Sequence, residues 1–184
     1  MINSWHAVTP GESAPDYVNA VIEIPVGSKV KYELDKRSGM IRVDRVLYSA
    51  VHYPANYGFI PQTYCGDHDP LDILVLGQAV VVPLVIMRAI PIGVMHMVDQ
   101  GEADDKIIAV HADDPGYSHL RSIDQLASHR LVELRRFFED YKSLEHKEVT
   151  VEQFDGPEVA RRVIVEALEL YRENRERLMA ESAA

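Results

Sequence analysis

The chain has 184 residues, enough for one domain with a sizeable core, and its 47% hydrophobic and 26% charged residues describe a folded protein rather than a disordered one. A net charge of −10 excludes general affinity for nucleic acid or anionic membranes, both of which need a basic footprint. The single cysteine, Cys65, excludes an internal disulfide and fits a reducing cytoplasm, while the longest apolar run, 79–87, is broken by Pro83 and too short to cross a membrane.

Residues 1–17 carry Pro10, Gly11 and Pro15 without periodicity and read as an extended N-terminal arm. Over 18–24, Val18, Ala20, Ile22 and Ile24 alternate with Asn19, Val21 and Glu23, which predicts a half-buried strand with Glu23 facing away from the main apolar row. A hairpin is predicted from strands at 29–34 and 40–47 around the turn-forming 35–39 segment. Arg45 breaks its alternation by falling with Ile41 and Val43, so a bulge or strand end is expected to aim its guanidinium into a site. Residues 53–64 read as an irregular aromatic loop with Pro54, Gly58 and Pro61.

The following stretch, Asp67-His68-Asp69-Pro70-Leu71-Asp72, places three carboxylates in six residues ahead of the apolar run 73–76. Pro70 excludes a helix interior. An extended segment puts Asp67 and Asp69 on one face, and a bend at Asp69-Pro70 would let Asp72 join them. Converging carboxylates need cations, and hard oxygen ligands suit magnesium, manganese or calcium. Strands are predicted at about 72–76, 79–82 and 85–95. A second acidic cluster, Asp99, Glu102, Asp104 and Asp105, then precedes Lys106 and an apolar run to Val110. Helical spacing follows at 128–144 and 157–179, within a helical region spanning 128–182. Without alternating βαβ units a parallel sheet is not expected. The predicted class is mainly β with α, a small closed barrel with two appended helices.

Should Glu23, Glu33, Asp67, Asp69, Asp72, Asp99 and Asp104 share a pocket with Lys31, Arg45, Lys106 and Lys142, seven carboxylates meet four cations and leave a net of −3. A ligand with two phosphoryl groups adds roughly −3 to −4, so roughly three divalent ions would neutralise the whole. Such a pocket binds anions through metals.

The motif Asp67-x-Asp69-Pro70-x-Asp72 resembles the signature of family I soluble inorganic pyrophosphatases. Six further blocks stand in the family's order: Glu23-Ile24-Pro25, Lys31-Tyr32-Glu33, Val43-Asp44-Arg45, Tyr53-Pro54-x-Asn56-Tyr57-Gly58, Asp99 to Lys106, and Phe137-Phe138-x-x-Tyr141-Lys142. The resemblance covers 18–155 and implies one domain over 1–184, a five-stranded barrel of the OB type with helices outside, hydrolysing pyrophosphate with several magnesium ions. It implies Asp67, Asp72, Asp99 and Asp104 as metal ligands and Asp69 as general base. Lys31, Arg45, Tyr57, Lys106, Tyr141 and Lys142 would hold phosphate oxygens, with Glu33 among them, while Glu23 and Glu33 would support outer metals. It further implies a homo-oligomer, a trimer or hexamer. Two positions depart from the pattern: His68 stands where glycine is frequent, with little effect expected, and Gln100 where an acid is frequent, removing one charge near the outer metals.

Rival readings fit less well. An EF-hand loop beginning at Asp67 would need glycine and glutamate where Asp72 and Gln78 stand. In a haloacid-dehalogenase-type phosphatase the hydrophobic strand precedes Asp-x-Asp, whereas here it follows. An OB-type single-strand nucleic-acid binder would stack bases on Tyr53, Tyr57 and Phe59, against the acidic balance.

Overall fold

The computed structural model describes residues 3–183. Five strands pair in a ring. β1 (Val18–Ile24) runs antiparallel to β4 (Asn56–Phe59), and β4 to β5 (Asp72–Leu76). β5 lies parallel to β8 (Lys106–His111), which runs antiparallel to β6 (Val85–Asp99), and β6 returns to β1. β5 and β8 are a parallel pair in an otherwise antiparallel sheet. Closure depends on the 15-residue length of β6, whose first half pairs β1 and whose far end pairs β9 (Val149–Asp155) and the short β7 (Glu102–Ala103). β2 (Val30–Leu34) and β3 (Ile41–Val46) form the expected hairpin as a separate two-stranded sheet. The class is α+β, mostly sheet, with α2 (Ser128–Asp140) and the long α3 (Pro157–Ala183) following the ring.

Both faces of β1, β4, β5 and β8 are covered, so period-two alternation understates their burial. On β5, Leu74 and Leu76 pack with Leu134, Phe137 and Phe138 of α2, whereas Ile73 and Val75 pack with Ala160, Ile164 and Leu168 of α3. β1, predicted half-buried, is buried at every position but Asn19, because Val21 meets Trp5, Phe59, Tyr171 and Leu178 on its second face. Truncating a fully buried anchor such as Ile164 to alanine would cost about 2–5 kcal/mol. Gly58 marks the closest approach: a Cβ there would lie 1.9 Å from the Val21 carbonyl oxygen, so only glycine lets β4 lie against β1.

Several expectations need correction. The N-terminal arm is not extended throughout, since Ser4–Ala7 form a helical turn, α1, with Asn3 capping the Trp5 amide; residues 1–2 lie outside the described residues. The aromatic 53–64 loop contains β4, and the 128–182 region contains β9 between its helices. No strand forms at 79–82, where Val80 and Val82 are 73% and 70% exposed. The neighbouring ring strands already use both edges, and Pro83 supplies no amide hydrogen for another ladder.

Candidate active site

The acidic motif folds as a turn rather than an extended segment. Asp67 Oδ1 accepts from the Asp69 amide (3.1 Å), Cys65 donates to the Asp69 carbonyl (2.9 Å), and His68 takes a left-handed φ of +69°. That backbone state explains why glycine suits position 68. Histidine occupies it with Nδ1 2.8 Å from the Tyr64 hydroxyl. Asp67 and Asp69 therefore do not share a strand face, and Asp72 is separated from both by Pro70, at the first position of β5.

β5 and β8 bring the two acidic clusters together. Asp72 and Lys106 are direct register partners across the parallel pair. Lys106, only 2% exposed, donates to Asp72 (2.6 Å), Asp104 (2.8 Å) and the Tyr57 hydroxyl (3.2 Å). Tyr57, on β4, also donates to Asp72. Burial opposes charge on Lys106, but Asp72 and Asp104 outweigh it and hold its pKa well above the usual lysine value. Burial, then neighbouring carboxylates, pushes Asp67 up to about 6; burial also raises Asp104 against the opposing pull of Lys106. At the far end Lys142 pairs with Asp99, and burial lowers the Lys142 pKa.

On the opposite wall Glu23 is buried and accepts from the Leu34 amide (2.7 Å), with burial pushing its carboxyl up to about 8. Lys31 lies 3.7 Å from Glu33 and 3.4 Å from Asp44. The expected irregularity at Arg45 is present: Lys31 opposes Arg45 but Tyr32 opposes Val43, leaving Asp44 as the extra residue of a bulge. Arg45 is not on the cavity wall. Its guanidinium contacts Asp44 (2.5 Å) and Glu145 (2.8 Å), while Nη2 is buried without a hydrogen-bond partner among the described residues. The remaining candidates, Glu23, Lys31, Glu33, Tyr57, Asp67, Asp69, Asp72, Asp99, Asp104, Lys106, Tyr141 and Lys142, all line one cavity of about 1090 Å³.

Sequence reasoning missed Glu145, whose only signal is its place three residues after Lys142, and Lys36, which reads as a turn residue but pairs with Asp69 across the cavity mouth. Gln100 occupies a left-handed turn (φ +53°), and its amide donates to the Glu148 carbonyl (3.0 Å). The aromatic residues that a base-stacking reading needs are unavailable: Tyr53, Tyr57 and Phe59 are all buried.

The donor chemistry fits divalent cations. Among the described residues no three acidic, histidine or cysteine side chains converge on one point, because lysines occupy the space between the carboxylates. Yet the cavity lining holds more carboxylates than lysines and arginines. Oxygen-only ligands in this surplus suit magnesium.

The family profile described as inorganic pyrophosphatase matches residues 20–172. The chain belongs to the inorganic pyrophosphatase family. It is 61% identical over 170 residues to soluble inorganic pyrophosphatase 2 of Chlamydomonas reinhardtii, covering 92% of this chain and 88% of that one. Against the soluble inorganic pyrophosphatase PPA1 of Solanum tuberosum it is 58% identical over 169 residues, covering 92% and 80%. The crystal structure of inorganic pyrophosphatase from Thermus thermophilus superposes with a TM-score of 0.90 at 36% identity, covering 93% of this chain and 99% of that one. As a pyrophosphatase, the chain carries Asp72 on the ring's parallel pair and Asp67, Asp69 and Asp104 in the turns entering it.

Proposed function

We propose how this pyrophosphatase hydrolyses pyrophosphate to two orthophosphates, reading residues 1–184 as one catalytic domain built on an OB-type barrel. The observation that carries the mechanism is the Lys106 junction, where a buried ammonium holds Asp72, Asp104 and Tyr57 within hydrogen-bond reach. Asp67, Asp72, Asp99 and Asp104 would hold magnesium ions, with Glu23 and Glu33 supporting the outer ones. Bound magnesium neutralises phosphoryl oxygens and lowers the pKa of water from about 15.7 toward neutrality.

The protein's own part is positioning, since phosphoryl transfer asks little covalent work of it. Where cations would engage Asp72, Asp104 and Asp99, Lys106 and Lys142 would be free to hold phosphate oxygens, joined by Tyr57, Tyr141 and Lys31. Arg45, paired with Asp44 and Glu145 outside the cavity wall, would exchange one of those partners to meet the leaving phosphate with the fork that Nη2 completes. Asp69 accepts the proton of the attacking water while the water oxygen bonds to phosphorus and the bridging P–O bond breaks. Two orthophosphates leave.

Turnover against magnesium concentration separates the roles. Asp72→Asn weakens coordination, because an amide supplies a neutral oxygen, so activity falls and recovers partly at high magnesium. Asp69→Asn removes the proton acceptor, loses about 10²–10⁴-fold and is not rescued. Near-parental turnover of Asp69→Asn in excess magnesium, or loss of metal affinity as severe as in Asp72→Asn by calorimetry, would make Asp69 a ligand instead. We read the assembly as a homo-oligomer, trimer or hexamer by family analogy, using the face of α2 that exposes Val132. A monomeric mass by light scattering at micromolar protein would overturn this.

A further inference from the structure

Lys36 has no role in the mechanism so far. It follows β2 in the hairpin turn, where Asp35 Oδ2 accepts from the Ser38 amide (3.0 Å) and Gly39 adopts a φ of +69°. Its side chain reaches across the cavity mouth to the acidic turn, 33 residues away, donating to Asp69 Oδ1 and to the His68 carbonyl (3.2 Å). The ammonium also lies 5.1 Å from the centre of the Trp5 ring.

This arrangement is more than a surface ion pair of the kind worth about 0–1 kcal/mol. The Trp5 ring is itself immobilised: it is 2% exposed, its Nε1 donates to the Thr63 carbonyl (2.8 Å), and its own carbonyl accepts from Gln62 (2.9 Å). Asn3 Nδ2 donates to the Lys36 carbonyl, tying backbone as well as side chain to the same N-terminal turn. An aromatic face, a carbonyl and a carboxylate thus fix the end of a four-carbon chain that would otherwise sample many rotamers.

Asp69 is anchored far less well. Its side chain is 53% exposed, and among the described residues Lys36 is the one hydrogen-bond partner of its carboxylate. That contact uses Oδ1. Oδ2 stays available.

We infer that Lys36 is a positioning residue for the reaction: seated on Trp5, it holds Asp69 by Oδ1 and presents Oδ2 to the attacking water. This rests on the reading of Asp69 as general base. The geometry explains why a base standing on a turn, rather than on a ring strand, keeps a defined place, and misplacement by about 1 Å can cost on the order of 10²-fold in rate.

The test compares Lys36→Met, Lys36→Arg, Asp69→Asn and the Lys36→Met/Asp69→Asn double variant. Lys36→Met is expected to lower kcat by roughly 10–100-fold, with KM for pyrophosphate, magnesium affinity by calorimetry and melting temperature retained. Lys36→Arg, which keeps a cation of similar reach, should recover most of kcat. In the double variant the Lys36 change should have no further effect beyond Asp69→Asn, because both act through one group. Parental kcat in Lys36→Met, a rise in KM with kcat intact, or an equal further loss in the Asp69→Asn background overturns the positioning role. If Asp69→Asn alone keeps parental turnover, the base assignment fails whatever Lys36 does. If Asp69→Asn loses turnover while Lys36→Met keeps parental kcat, only the inference about Lys36 fails.

Discussion

The ring and the hairpin beside the cavity hold the same kinds of side chain in opposite mechanical settings. On the ring, Asp72 and Lys106 sit opposite each other in adjacent strands, fixed by ladders on both sides and by α2 and α3 on both faces. On the hairpin, Lys31 and Arg45 are also opposite each other, but among the described residues their two-stranded sheet has no further partner strand, and most of β3 is exposed. Charges on the ring are satisfied by one another in buried contacts. On the hairpin, Lys31 pairs with Glu33 and Asp44 in more exposed contacts, and only the Arg45–Glu145 pair is buried to a comparable degree. The difference teaches that the ring determines where charge must be neutralised, and so both chemistry and stability. The hairpin contributes binding groups that are movable at little free-energy cost.

If that division holds, Lys106→Met should have the largest effect. It strands Asp72 and Asp104 without their cation, costing roughly 3 kcal/mol, the low end for breaking a buried pair. Activity should fall by about 10²–10³-fold, as for loss of one electrostatic stabiliser. Thermal melting without metal should show the loss, and magnesium should restore part of it by replacing the missing charge. An unchanged melting temperature would break the comparison on its ring side.

Arg45→Lys sharpens the hairpin side. The substitution keeps the charge but loses the fork, so KM for pyrophosphate should rise about tenfold while stability changes by no more than about 0.5 kcal/mol. A large drop in melting temperature would show that the hairpin is structural after all.

The smallest effect lies at the N-terminal turn. His6 contacts the Tyr171 hydroxyl (2.8 Å) and Ser182 Oγ (2.9 Å) of α3, and burial first, then Arg175 and Lys36, lowers its pKa below 6.5. A depressed histidine pKa contributes stability above the unfolded value and loses it as pH falls through the folded one. The melting temperature should therefore decline below about pH 6.5, and His6→Gln should flatten that decline. Identical pH profiles would remove His6 from the account.

The sequence made the acidic side legible and left the connections dark. Asp67, Asp69, Asp72, Asp99, Asp104 and Lys106 stood out because carboxylates that crowd next to apolar runs are unusual. Arg45 stood out because it violated its strand's alternation, and the Asp44 bulge is the physical cause. β4 was obscured by Pro54 and Gly58, although Gly58 is there for contact with β1. The apolar run at 79–82 suggested a strand where the ring offers no free edge. Lys36 and Glu145 were illegible for a different reason: each is an ordinary turn residue whose partner lies 33 or 100 positions away, and only the closed chain brings them together.

The most direct test of the whole account is orthophosphate release from pyrophosphate by the purified chain, measured with magnesium, after excess chelator, and after magnesium is restored. The account predicts turnover that disappears on chelation and returns with magnesium. Turnover that persists without metal would contradict it, because the carboxylate wall would then have no cation to gather.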